Sequence, residues 1–300
     1  MSERDLFPGF DALRLRGATG ELFCRVGGEG PPLLLLHGYP QTHAAWHRVA
    51  PGLARHFRCV VADLPGYGAS FIPTPTADHA AYSKRAMARE LVAAMAELGH
   101  QRFSVIGHDR GARVAYRLAL DAPERIERLG ILEVVPTAQM WDSFNAEMAM
   151  KAYHWTFLAQ PHPLPERMIA ADPVAYVEWT LASWSQSGSL GTFDPLALEA
   201  YRRAFAEPER IRAFCEDYRA GATMDRALDE ADRKAGRRIK PPLHFVWSHN
   251  GFPARTGKPL ALWEEWAEQV SGEAVEGGHF LPEENPDAVL RALVPFFRGG

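Results

Sequence analysis

The sequence predicts an α/β fold: a mostly parallel, eight-stranded sheet flanked by helices, with a helical segment inserted. Three observations carry this. Apolar runs at 33–36, 59–62, 103–106 and 129–135 are continuous rather than alternating, as in parallel strands covered on both faces. Helical patterns at 82–98 and 112–120 separate the later runs, giving the strand-helix rhythm of α/β proteins. From 136 to about 238 the strand signal vanishes, and it resumes at 243–247.

Taken in order, 13–15 and 22–26 supply two strands ahead of the continuous runs. The insertion follows 129–135, with helix-period segments at 144–157, 173–185 and 196–219 rich in Ala, Met and aromatics. Four of the eight tryptophans, Trp141, Trp155, Trp179 and Trp184, lie there, more than a purely solvated appendage needs. After 243–247 come a helix at 259–270, a short strand around Ala274 and Val275, and a closing helix at 286–297. The expected division is a core of 1–136 and 240–300 with a helical cap at 137–239.

Three hundred residues can bury a core that needs neither disulfides nor a structural metal. The net charge is −4 and no block of five like charges occurs, which argues against a nucleic-acid partner and a polybasic membrane anchor. Among the basic residues only five are lysines and 28 are arginines, so some arginines could serve as planar forks. Cys24, Cys59 and Cys215 are odd in number and widely spaced, which reads as buried hydrophobes in a reducing compartment. The charged N-terminus lacks the apolar stretch of a signal peptide, and no run approaches the ~20 apolar residues of a membrane helix. A cytoplasmic location without membrane partners is expected.

Gly107-His108-Asp109-Arg110-Gly111 lies between the 103–106 strand and the next helix, the pattern of a nucleophile elbow. Its flanking glycines permit a tight turn that lifts the central side chain above the sheet edge. A carboxylate there attacks a saturated carbon and forms an alkyl ester, where serine would attack an acyl carbon. An aspartate capping the helix is the plain alternative. His37-Gly38-Tyr39-Pro40 follows the 33–36 strand, where the N–H groups of Tyr39 and Arg110 could form an oxyanion hole. A simple turn would read the same way. Gly277-Gly278-His279 lies in a loosened loop after the last strand and would hold His279 over the elbow as general base, although a lone loop histidine is often a surface residue.

With these motifs in place, the sequence resembles the α/β-hydrolase superfamily and, within it, the haloacetate (fluoroacetate) dehalogenases. HGYPQTHAAWHRVAP, ADLPGYGAS, GHDRGARVAYRLALDAPERI and GGHFLPEENP carry the resemblance, and GHDRGAR is its specific part. It implies Asp109 as nucleophile and His279 as base for the water that hydrolyses the ester. The 247–251 loop offers no carboxylate, but Leu132-Glu133-Val134-Val135-Pro136-Thr137 is similar to the stretch where this family keeps its acid, and that resemblance implies Glu133 as the acid behind His279. The family has Asp there, and the extra methylene alters the hydrogen-bond geometry. A strand-end carboxylate paired with a surface arginine is the alternative.

Arg110 and Arg113 share a helix face that begins at the nucleophile. Cations at a helix N-terminus oppose its dipole, and an anionic ligand reverses that penalty. An internally salt-bridged pair is the alternative. By resemblance, the two arginines bind the carboxylate of a haloacetate, His154, Trp155 and Tyr218 surround the departing halide, and Trp184 restricts the pocket. The resemblance further implies a reaction without cofactor or metal, a small anionic substrate, and a homodimer. The rivals are an epoxide hydrolase, which usually has Trp where Arg110 stands and two cap tyrosines, and a non-catalytic ligand receptor of the same fold.

Overall fold

The computed structural model describes residues 5–299. Its eight strands are β1 (Asp11–Arg16), β2 (Glu21–Gly27), β3 (Pro32–Leu36), β4 (Arg58–Ala62), β5 (Phe103–His108), β6 (Ile126–Leu132), β7 (Leu243–Ser248) and β8 (Val270–Val275). They form one sheet in the order β1-β2-β4-β3-β5-β6-β7-β8, antiparallel at β1/β2 and β2/β4 and parallel elsewhere.

The central strands are apolar on both faces because both faces are covered. Leu34, Leu36, Val60, Val105 and Ile131 point into the core shared with the Lys84–Glu97 and Arg110–Asp121 helices and the insertion. Their neighbours Leu33, Leu35, Val61, Ile106 and Leu132 face a second core, closed by the Ala50–Leu53 and Pro286–Arg298 helices. Among the described residues no helix is long and apolar enough to cross a membrane.

Between β6 and β7 the chain is helical, from Thr137–Asp142 to Met224–Lys234. Two segments expected as single helices are broken. Residues 196–219 divide into Pro195–Phe205 and Pro208–Ala222 because Glu207, ahead of a proline, takes an extended conformation (φ −95°, ψ 111°). Residues 144–157 divide at Ala152 into Ala146–Lys151 and Tyr153–Leu158, leaving the adjacent His154 and Trp155 both buried. The strand expected to reach Val135 stops at Leu132, where Glu133 turns to φ 61°. The helix expected at 259–270 ends at Glu264, and β8 begins at Val270, its alternating exposure matching an edge strand paired only with β7.

Buried charge fastens the insertion to the body. Arg117, on the Arg110–Asp121 helix, donates to Asp229 (2.7 Å) and Asp232 (2.5 Å) of the Met224–Lys234 helix. Asp229 also accepts from the Tyr116 hydroxyl (2.8 Å) and from the Ala138 backbone N–H (3.2 Å). Removing the cation would leave the buried Asp229 carboxylate without a cation, while Asp232 keeps Arg237 at 2.8 Å. Arg117→Ala is therefore expected to lower stability by about 3–5 kcal/mol, read from urea unfolding; a midpoint equal to that of the unmodified protein would refute it.

Candidate active site

β5 runs directly into Asp109, whose backbone sits at φ 46°, ψ −115°. A non-glycine residue holds such a conformation only when its surroundings fix it. Three glycines allow those surroundings to close in. A Cβ on Gly107 would lie 2.5 Å from the Ala112 nitrogen, one on Gly111 2.4 Å from the Leu36 and His37 carbonyl oxygens, and one on Gly38 2.4 Å from Asp109 Cβ. Asp109 occupies the N-cap position of the following helix, yet its side chain makes no capping bond. Instead its Oδ2 accepts from the Tyr39 backbone N–H at 2.9 Å. Helix capping does not account for this aspartate. Burial opposes its charge, but His279, His108, Arg110 and Arg113 outweigh burial and hold its carboxyl below the usual range.

His279 stands over the elbow. Its Nε2 is 4.0 Å from Asp109 Oδ1, and its Nδ1 is 3.9 Å from Glu133 Oε2. Both separations exceed a hydrogen bond. Burial would lower its pKa, but the Glu133 and Asp109 carboxylates prevail and raise it. Glu133 is buried without an arginine partner among the described residues; its Oε1 accepts from the Ser248 N–H, and burial pushes its carboxyl up. A Cβ on Gly251 would lie 2.4 Å from Glu133 Oε2, so the loop after β7 leaves room for the longer side chain. His108, driven to about 3 by burial, is neutral and donates from Nε2 to the His279 carbonyl at 2.7 Å.

The two arginines, which share one helix face, differ in their partners. Nε and Nη2 of Arg110 form a bidentate pair with Asp217 at 2.8 Å each. Asp217 also receives the Tyr67 hydroxyl (2.7 Å) and the Lys84 ammonium. Only Nη1 of Arg110 lacks a protein partner. Arg113 donates to the Val135 carbonyl (3.0 Å) and the Thr137 hydroxyl (3.1 Å), and pairs with no carboxylate among the described residues. Burial lowers its pKa, and its guanidinium lies 4.5 Å from the Trp155 ring centre. Asp109 offsets its charge only through space, so the buried cation lacks a contacting carboxylate, which is costly, and an anionic ligand would relieve it.

A cavity of about 550 Å³ opens above Asp109, with Arg113, His154, Trp155, Trp184 and His279 on its wall. Arg110, Tyr39 and Tyr218 are buried next to these residues, Arg110 4.2 Å from the Tyr218 ring centre. His154 and Trp155 each meet Tyr218 nearly edge-on, at 5.6 and 6.0 Å between ring centres. Trp184 packs 4.3 Å from His154 and perpendicular to His279 at 5.5 Å. Burial takes His154 down to about 3, so it is neutral, with Nδ1 unpartnered in the protein.

A family model described as the alpha/beta hydrolase fold matches residues 31–286. The chain belongs to the α/β-hydrolase family. It is 40% identical to a fluoroacetate dehalogenase of Burkholderia sp. over 97% of this chain and 95% of that protein. It is 34% identical to a soluble epoxide hydrolase of Corynebacterium sp. strain C12, over 91% of this chain and 92% of that protein. A solved structure from Pseudomonas aeruginosa, provisionally described as an epoxide hydrolase, superposes with a TM-score of 0.92 at 48% identity, covering 99% of this chain and 98% of that one.

Within this α/β-hydrolase, residues not singled out from sequence complete the arrangement. Asp217 adjoins Tyr218, and Lys84 is one of only five lysines, so a rare residue type was the available signal. Ser248 and His108 act through a backbone N–H and a ring N–H whose partners lie 115 and 171 residues away. Arg113→Met removes a desolvated charge while one carbonyl and one hydroxyl lose a donor, worth about 1 kcal/mol each. Stability is expected to hold or rise. A fall of more than about 3 kcal/mol in urea unfolding would show that the cation is compensated within the protein.

Proposed function

We propose that this protein hydrolyses haloacetates, fluoroacetate among them, to glycolate and halide through an ester on Asp109. In this reading residues 1–136 and 240–300 form the body and 137–239 the cap. Arg113 holds the substrate carboxylate, joined by the free Nη1 edge of Arg110. An Asp109 oxygen attacks the α-carbon, and the carbon–halogen electron pair leaves with the halide. Trp155, His154 and Tyr218 are the donors proposed for the departing ion, a stabilisation that grows as its charge develops. Trp184 bounds the pocket beside them.

His279, backed by Glu133, then takes a proton from water, whose oxygen attacks the ester carbonyl. The Tyr39 and Arg110 backbone N–H groups are the donors proposed for the resulting oxyanion; the Tyr39 N–H bonding Asp109 Oδ2 supports this. Collapse breaks the ester C–O bond, the alkoxide takes the proton back from His279 as glycolate, and Asp109, left as the carboxylic acid, releases the second water proton to solvent to regenerate its carboxylate.

The observation that carries the reading is Arg113, a buried cation on the cavity wall with no carboxylate partner. The similarity to epoxide hydrolases favours a second reading, epoxide opening by the same aspartate. A neutral epoxide would leave Arg113 uncompensated, which is why it ranks second. Halide release is expected from fluoroacetate and chloroacetate, abolished by Asp109→Asn and reduced at least about a hundredfold by Arg113→Met. Opening of a styrene-type epoxide without halide release would refute the reading, and release surviving Asp109→Asn would refute its mechanism.

The shifted groups predict how the two steps separate with pH. Asp109 lies below its usual range and stays ionised as pH falls, whereas His279 lies above the usual histidine value and protonates early. A protonated His279 cannot accept a proton from water. In mildly acidic buffer a stoichiometric burst of halide is therefore expected, followed by slow turnover with the ester on Asp109. Quenched-flow halide analysis with intact-mass detection checks this, and a common acid limb for both steps would refute it.

A further inference from the structure

The ring of His279 is gripped by neither neighbouring carboxylate, since both stand 3.9–4.0 Å away. Its placement comes from the Trp184 and His108 rings packed on it and from the backbone that carries it. That backbone is anchored at the N–H groups of residues 278–280 and at the His279 carbonyl. The His279 N–H donates to the Trp184 carbonyl at 3.1 Å, and its carbonyl accepts from His108. The N–H groups on either side both go to Glu284: Gly278 to Oε2 and Phe280 to Oε1, each at 3.0 Å.

The same carboxylate reaches the insertion, because Oε2 also accepts from the Gln186 N–H at 2.8 Å. Gln186 lies two residues beyond Trp184, in the turn that closes the Pro173–Trp184 helix. Gly278 is what lets these groups meet. A Cβ there would lie 2.4 Å from the Gln186 nitrogen and 2.7 and 2.9 Å from the two Glu284 oxygens. One carboxylate thus satisfies three N–H groups from two separate loops, in charge-assisted bonds stronger than neutral ones.

We propose that Glu284 is a positioning residue for His279: its carboxylate clamps both flanks of the base's loop to the turn after Trp184 and so sets the ring's reach to the Asp109 ester. This rests on the reading of His279 as the base of ester hydrolysis. The first chemical step needs Asp109, the arginines and the halide donors, none of which the clamp holds. The second needs the imidazole within reach of a water on the ester. Loss of the clamp therefore slows the second step selectively.

The test measures both steps in the same molecules: single-turnover halide release gives the displacement, and decay of the ester on Asp109 by intact mass gives its hydrolysis. In Glu284→Ala the ratio of hydrolysis to displacement is expected to fall about tenfold to a hundredfold, with ester accumulating in the steady state. Glu284→Gln keeps one acceptor oxygen and is expected to fall between Ala and the unmodified protein. Partial unfolding would lower both rates alike and leave the ratio unmoved. An unmoved ratio in Glu284→Ala, with ester forming normally, overturns the clamp and leaves the haloacetate reading standing. Absence of any ester in the unmodified protein overturns the haloacetate reading and the clamp with it.

Discussion

The site depends on how one helix buries three arginines. Arg110, Arg113 and Arg117 follow the elbow at i, i+3 and i+7, so they share a face, and that face is sealed by the insertion. Arg110 is neutralised by Asp217 and Arg117 by Asp229 and Asp232, all three aspartates coming from the insertion. Arg113, between them, receives only a carbonyl and a hydroxyl. The outer ion pairs join insertion to body, and the same closure leaves the middle cation buried on the cavity wall with no carboxylate in hydrogen-bond contact among the described residues, its charge felt by Asp109 only through space.

This arrangement also fixes what Asp217 does. Asp217 holds Nε and Nη2 of Arg110, with the Lys84 ammonium and the Tyr67 hydroxyl on the same carboxylate. Burial opposes its charge, but Arg110 and Lys84 prevail and keep it ionised. Arg110 therefore cannot swing its fork toward a ligand, and only Nη1 is left over. Its guanidinium also lies 4.2 Å from the Tyr218 ring centre, which ties the arginine to the aromatic cluster beside the cavity.

Much of the fold was legible because it rests on local chemistry. Continuous apolar runs gave the parallel strands, and the glycines at 107 and 111 gave the elbow, since a Cβ at either would strike backbone. The breaks at Ala152 and Glu207 were harder. The Glu207-Pro208 step carries a readable local cause, whereas Ala152 (φ −106°, ψ 31°) carries no such sequence signature. The candidate site was legible where a motif carried it, as at Asp109 and His279. It was not legible where a partner lies far along the chain: Asp217 is 107 residues from Arg110, and whether an arginine is paired depends on that partner. Sequence spacing made Arg110 and Arg113 equivalent, and burial makes them different.

The same enclosure pushes the titratable groups apart, which is what two-step chemistry on one residue requires. Two carboxylates within reach of one imidazole would ordinarily behave alike. Burial pushes Glu133 up, with His279 and the Ser248 N–H opposing it, while burial of Asp109 is outweighed by His279 and the Arg110 and Arg113 guanidinium groups, which hold it low. The histidines divide as well. His108 and His154 are kept neutral by burial at about 3 and can serve only as fixed neutral rings, His108 donating to a carbonyl. Of these three, His279 is raised, because it sits between the two carboxylates. An ionised Asp109 beside an imidazole able to take up a proton is the pairing that forming an ester and then hydrolysing it demands. The charges that produce it are the ones the elbow helix and the insertion bring together.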